Sequence, residues 1–294
     1  MNLPQHPRLL VTGSTWTEMK ARRAQSPIFD QYLRKMEDDG RSSLAEIPVR
    51  YELEGFRLLG VSREAFKRIV LWSFNYNING DSVFKRRAEQ EMLAVAAFPD
   101  WNPKHFLDVG EMTAGVALGY DWLYDALSPA SRAIIREAII EKGLKQGLDL
   151  KASTNWWYTT ASNWNQVCIG GLVLGALSIA EDEPELLEQT LANARTYAPI
   201  GLKPYAPDGV YPEGPGYWSY GTTYQVILLA ALESALGTDW GLSQSPGFPV
   251  TGDYPQAVTG PTHRLYSYSD GGERVEVMPA LYWLAQKFQK PDIL

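Results

Sequence analysis

The sequence predicts an all-α protein built from consecutive pairs of antiparallel helices. Three observations carry this. Apolar residues recur at helical spacing through most of the 294 residues. The periodic segments are similar in length and are separated by short stops rich in Gly, Pro, Asn and Ser. Strand signals are weak and late: 264–269 alternates modestly ahead of an Asp270-Gly271-Gly272 turn. Helix pairs of this kind either close into a ring, an α/α toroid, or stack as an open array, and periodicity does not choose between them. No sharp repeat accompanies the pairs, which disfavours a regular solenoid.

The first helix is expected over 15–38, capped by Ser14 or Thr15. A pair follows over 63–77 and 81–98, with Asn79-Gly80 as the stop between them. The stretch 104–127 reads as one long helix. Ser128 then caps the next helix and Pro129 takes its first position. That helix runs through Ile134, Ile135, Ala138 and Ile139 toward Gly147. An apolar helix over 163–180 carries Gly170, Gly171, Gly175 and Ala176, small residues that permit close packing. After a short acidic turn come helices over 183–200, 217–236 (ended by Gly237) and 278–289.

Composition fits a globular chain with a sizeable core: 45% of residues are hydrophobic and 21% charged, too apolar for disorder. The net charge of −7 argues against a nucleic-acid partner, which needs a basic surface. A polyanionic substrate would require a local basic or neutral groove. The single cysteine, Cys168, lies in an apolar stretch and reads as a buried small residue. His6, His105 and His263 are too scattered to suggest a metal site, and nothing calls for a cofactor. No segment has the length and apolarity of a membrane span. The opening MNLPQHPRLL lacks the basic and apolar regions of a signal peptide.

Aromatic residues are abundant: 10 Trp, 16 Tyr and 9 Phe. Two polar, aromatic-rich segments each precede an apolar helix, 155–166 (NWWYTTASNWNQ) and 205–221 (YAPDGVYPEGPGYWSYG). Loops of this composition at the mouth of a helical scaffold suit sugar binding, because a pyranose offers apolar faces and a polar rim. The plainer reading makes Pro207-Asp208-Gly209 and Glu213-Gly214-Pro215-Gly216 simple turns, Ser162 or Asn163 a cap, and Trp164 core.

An ordered set of motifs resembles the heparinase II/III-like polysaccharide lyases. It comprises His6-Pro7-Arg8-Leu9-Leu10, Asp108-Val109-Gly110-Glu111-Met112, Gly119-Tyr120-Asp121-Trp122-Leu123-Tyr124-Asp125, Ser162-Asn163-Trp164-Asn165, and the run from Pro207 to Trp218. The resemblance implies an incomplete α/α toroid over 1–294, with about 263–294 as the junction to a β-sandwich domain. It also implies a periplasmic or secreted enzyme that cleaves uronate-containing polysaccharide by β-elimination, with no cofactor or metal. In such lyases an Asn or His hydrogen-bonds the uronate carboxyl group, and a Tyr serves as acid and often as base. The resemblance places Asn163 in the first role, with Asn165 in reserve, and Tyr220 in the second, followed by Tyr217. Many relatives carry a His directly after the Asn; here Trp164 stands there, and it cannot act as a base. Trp157, Trp164, Asn165, Glu111, Glu213 and Trp218 are the expected substrate contacts, with His105 and Asp208 behind them.

Two other readings compete. A glycoside hydrolase on the same architecture needs two carboxylates, for which Glu111, Asp121, Asp125, Asp208 and Glu213 are available without a fixed pairing. A non-catalytic carbohydrate-binding domain needs only the aromatic cleft.

Overall fold

The computed structural model describes residues 3–294. It is all-α: among the described residues there is no sheet, and the strand signal near the end survives as isolated bridges, including Thr259 to Leu265 and Arg264 to Arg274. The helices are α1 (Gly13–Gln25), α2 (Pro27–Ser42), α3 (Leu59–Asn79), α4 (Ser82–Ala96), α5 (Phe106–Trp122) and α6 (Pro129–Ala138). They continue with α7 (Lys145–Leu148), α8 (Asn163–Ser178), α9 (Pro184–Gly201), α10 (Gly214–Leu236), α11 (Tyr254–Ala257) and α12 (Ala280–Phe288). No helix among these residues is long and apolar enough to cross a membrane.

Local chemistry explains the boundaries. The expected first helix is two helices, because Pro27 has no N–H to continue α1 and instead opens α2. Ser26 caps the new start, its Oγ accepting from Phe29 N–H at 3.3 Å. The expected helix over 104–127 is shorter; it stops at Trp122 and passes into a single 3-10 turn. Ser128 caps α6 as expected, accepting from Ser131 N–H at 3.0 Å. The run from α6 to α7 is continuous but widens into a π-turn over Ile139–Leu144.

α3, α5, α8 and α10 form the central layer, each packed on the next, while α4 and α9 lie against α3 and α8 on the outside. Burial follows this order. Every residue of α5 is buried, and so is nearly all of α8, which suits helices that are apolar on every side. α5 and α8 touch backbone to backbone. A Cβ on Gly171 would overlap the Gly110 carbonyl, and one on Gly110 would lie 3.0 Å from the Val167 carbonyl. Ala would favour an isolated helix by about 1 kcal/mol at each of these positions. The close approach requires glycine.

Two of the quoted motifs form one clasp. Asp121, fully buried at the end of α5, accepts the N–H groups of Arg8 and Leu9, both at 2.9 Å, and His6 Nδ1 at 2.6 Å. Trp122 Nε1 donates to the Leu9 carbonyl at 2.9 Å. The His6 ring stacks on Tyr124 at 3.9 Å and bonds Glu181 at 2.6 Å. These side chains tie the N-terminal segment to the central layer.

Candidate active site

The first turns of all four central helices meet at one cleft of about 370 Å³. Leu59 and Arg63 come from α3, Leu107 from α5, Asn163 and Trp164 from α8, and Gly216, Tyr217 and Tyr220 from α10. Arg57, His105 and Asp270 complete the lining from adjoining segments. Four helix N-termini therefore face one space, and each adds partial positive charge. Arg57 and Arg63 add positive charge, set against Asp270 in the lining and Glu111, which is bonded to Arg63 at 3.0 Å.

Asn163 opens α8, just after Ser162, whose side chain makes no capping bond. The Asn163 side chain is only 2% exposed, and its Nδ2 has no hydrogen-bond partner. A buried amide left unpaired costs about 1–3 kcal/mol, so its position on the cleft wall needs a reason beyond packing. Asn165 differs. Its Nδ2 donates to the carbonyls of Tyr158 (2.8 Å) and Tyr197 (3.2 Å), so it braces the loop before α8 and does not reach the cleft.

Tyr220 donates its phenolic proton to Glu111 in a short hydrogen bond. Glu111 is buried and also accepts from Arg63 Nε at 3.0 Å. The Arg63 guanidinium lies over the Tyr220 ring, 4.9 Å from its centre. Burial and the neighbouring Glu111 charge hold the Tyr220 pKa well above its ordinary value, outweighing Arg63. Tyr220 is therefore a protonated donor rather than a phenolate. Burial likewise raises Glu111, against the pull of Arg63 and the tyrosine hydrogen bonds. The glycine after Tyr220 has a physical role: a Cβ at Gly221 would overlap the Gln166 amide and stand 3.2 Å from Asn163 Cβ. Its absence lets α10 sit against α8 with Tyr220 beside Asn163.

His105 ends the loop before α5. Its Nδ1 bonds Asp108 Oδ1 at 2.6 Å, and Asp108 Oδ2 accepts from Leu58 N–H (2.5 Å) and Asn102 Nδ2 (2.6 Å). Trp164 packs edge-on against His105 at 5.0 Å and beside Trp156 at 4.8 Å, forming an aromatic shelf.

Several expected contacts lie elsewhere. Trp157 is fully buried against Tyr158 and Phe106; its neighbour Trp156, half exposed, flanks the shelf instead. In a tight 3-10 turn adjacent residues point apart, and the sequence alone did not fix which Trp faces out. Trp218 is buried, its Nε1 bonded to Thr251 Oγ1 at 2.7 Å. Glu213 is half-buried and does not line the cleft; burial and nearby Asp270 raise its pKa. Glu111 touches the cleft only through Tyr220 and Arg63. Asp208 sits in an exposed turn, with Val210 N–H 3.4 Å from its Oδ1. Cys168 is fully buried in α8, which pushes its thiol pKa up and makes it unreactive.

A larger cavity, about 930 Å³, lies between the N-terminal segment and α9. Its charged groups His6, Arg8 and Glu181 are already bonded within the clasp. Each cavity has an unpaired buried donor, Arg8 Nε in the larger and Asn163 Nδ2 in the smaller, but Arg8 Nε lies 3.9 Å from the Asp121 carboxylate. The smaller cleft is the better candidate because four helix starts bring Asn163, Tyr220 and His105 together there. Among the described residues no group of three His, Cys, Asp or Glu is placed to hold a metal ion. No protein-family model matches the chain, and no curated protein does.

Proposed function

We propose that the chain is the helical domain of a heparinase II/III-like polysaccharide lyase and cleaves a uronate-containing polysaccharide by β-elimination. The observation that carries this reading is the unpartnered Nδ2 of buried Asn163, at the point where four helix N-termini converge. A donor without a partner, at the start of a helix and in a cleft lined by Arg57 and Arg63, is matched by an anionic acceptor, and a uronate carboxylate is one. The ordered motifs and the layered helix pairs agree with the incomplete toroid that the resemblance implies.

The chemistry follows from the groups present. The proton next to a uronate carboxylate is hard to remove while the carboxylate keeps its charge. Asn163, with Arg57 and Arg63, stabilises the negative charge that builds up on the carboxyl group as that proton leaves. Tyr220, held in its protonated form, donates to the departing glycosidic oxygen. Glu111 fixes the phenol before substrate arrives and then releases it. Trp164 and Tyr217 offer faces to the sugar rings, and Trp156 widens the shelf. A hydrolase would need a second carboxylate across the bond. Among the described residues Asp270 is the one carboxylate lining the cleft, and Asp121 is committed to the N-terminal clasp.

Incubation with a panel of uronate polysaccharides, followed by near-ultraviolet absorbance, tests the reading. The account expects absorbance to rise with one polymer as unsaturated uronyl ends form, and the rise to be lost in Tyr220→Phe. Chain cleavage without that rise would reject it.

A further inference from the structure

We propose that His105 is the base of this elimination, taking the proton from the carbon that bears the substrate's carboxylate. The inference rests on the lyase reading above and adds the group that reading leaves unnamed.

The Asp108 carboxylate is fully buried and engages three donors: Leu58 N–H, Asn102 Nδ2 and the His105 ring. An ionised carboxylate only accepts, so the ring proton lies on Nδ1 and Nε2 carries the lone pair. Nε2 bonds to none of the described residues, and His105 lines the cleft. Phe56 and Trp164 pack edge-to-face against the ring at 5.6 and 5.0 Å, which fixes its plane. An imidazole locked in one tautomer by a buried carboxylate, with its other nitrogen free in a cleft, is built to take a proton.

The alternative base is weaker. Tyr220 keeps its proton and hydrogen-bonds through it to Glu111, so it has no free lone pair poised as a base. Glu111 lies six residues beyond His105 along the chain, about 9 Å of helix. Imidazole and phenol thus reach the substrate from different places along the cleft, one suited to remove a proton and the other to supply one.

The step balances without a co-reactant. His105 Nε2 takes the proton, and the C–H electron pair becomes the new carbon–carbon double bond. The bond from the adjacent carbon to the glycosidic oxygen breaks, and that oxygen takes the Tyr220 proton. The imidazolium then releases its proton to solvent and the phenolate regains one.

The charged or titratable groups sharing the cleft with His105 are Asp108, Arg57, Arg63, Tyr217, Tyr220 and Asp270. Asp108 is the one hydrogen-bonded to the ring, so its removal is the specific perturbation.

The test compares wild type, His105→Gln, His105→Ala and Asp108→Asn on the polymer that wild type turns over. The expected result for His105→Gln is a kcat loss of about 10²–10⁴-fold with little change in KM. Added imidazole restores turnover to the Ala variant. Asp108→Asn lowers kcat with little change in KM. A His105→Gln enzyme that keeps its rate, or a His105→Ala enzyme that imidazole does not rescue, overturns the inference and leaves the lyase reading standing. Failure of wild type to form unsaturated product from any uronate polymer overturns the lyase reading and this inference together.

Discussion

Replacing Asn163 with Ala separates function from stability more sharply than any other substitution in the cleft. The Nδ2 group is buried without a partner, and such a donor costs about 1–3 kcal/mol in the folded state. Ala removes the donor and keeps the Cβ that rests near Gly221. Some packing is lost with the amide, so the net effect on folding is expected to be a gain of up to about 1 kcal/mol. For a chain of this size that is a rise of about 2–4 °C in Tm. Catalysis should move the other way. A preorganised donor to charge that develops in the transition state is worth about 10²–10³ in kcat. Thermal melts and near-ultraviolet absorbance on the same preparations read both quantities. A variant that melts well below wild type would mean that the Asn163 side chain holds the fold together. A variant that keeps wild-type kcat would mean that no substrate charge meets Nδ2. Either result refutes the assignment.

Four further outcomes follow from the geometry. Asn165→Ala leaves the carbonyls of Tyr158 and Tyr197 without their donor, and denaturant titration should show a loss of about 1–3 kcal/mol, the reverse of Asn163→Ala. Trp157→Ala empties a core site and should cost about 3–5 kcal/mol, whereas Trp156→Ala should leave Tm nearly unchanged and weaken oligosaccharide binding measured by calorimetry. Gly171→Val drives a side chain into the Gly110 carbonyl, and an overpacking loss of at least about 1–3 kcal/mol should appear in chemical denaturation. The clasp gives a pH signature. Burial disfavours charge on His6, but its hydrogen bonds to Asp121 and Glu181 outweigh this and raise its pKa above 6.5, so its contribution is full below that value and fades as pH climbs through the folded one. Burial also opposes charge on Glu181, yet the His6 bond and Arg8 hold it at about 2, so its contribution is present above the ordinary carboxylate range and fades as pH falls toward 2. The Tm difference between wild type and His6→Ala should therefore peak in mildly acidic solution, and a difference that keeps growing above neutrality contradicts the clasp.

The helix pairs were legible because burial on a helix writes itself into the sequence at every third or fourth position. Ser128-Pro129 marked a boundary correctly because capping is a local bond. Ser26-Pro27 carries the same signal, but the apolar pattern runs on through it and hides the break. The π-turn over Ile139–Leu144 has no local mark; it forms where Gly143 meets Thr113 of α5, a contact made by the fold. Asn163 and Tyr220, singled out by the motifs around them, both line the cleft, and Gly221 after Tyr220 lets two helices touch. The signals for Arg63 and the His105–Asp108 pair were thinner. Arg63 reads as a solvated position on a helix face, and only the packing of α3 on α5 brings it to Glu111. The i to i+3 spacing of His105 and Asp108 is local, as is Asn102, but Leu58 N–H, which also fixes the carboxylate, arrives from another part of the chain. Four of the expected substrate contacts (Trp157, Trp218, Asn165 and Glu213) lie away from the cleft because composition records that a segment is aromatic and polar, not which way each side chain turns.

The central claim is that the bond breaks by elimination, and product mass tests it directly. Wild-type protein is incubated with uronate polymers, and the new chain ends are examined by mass spectrometry. The account predicts fragments that carry a double bond in the terminal uronate and whose summed mass equals that of the starting chain. Fragments that together weigh one water more would mean hydrolysis and would contradict the account.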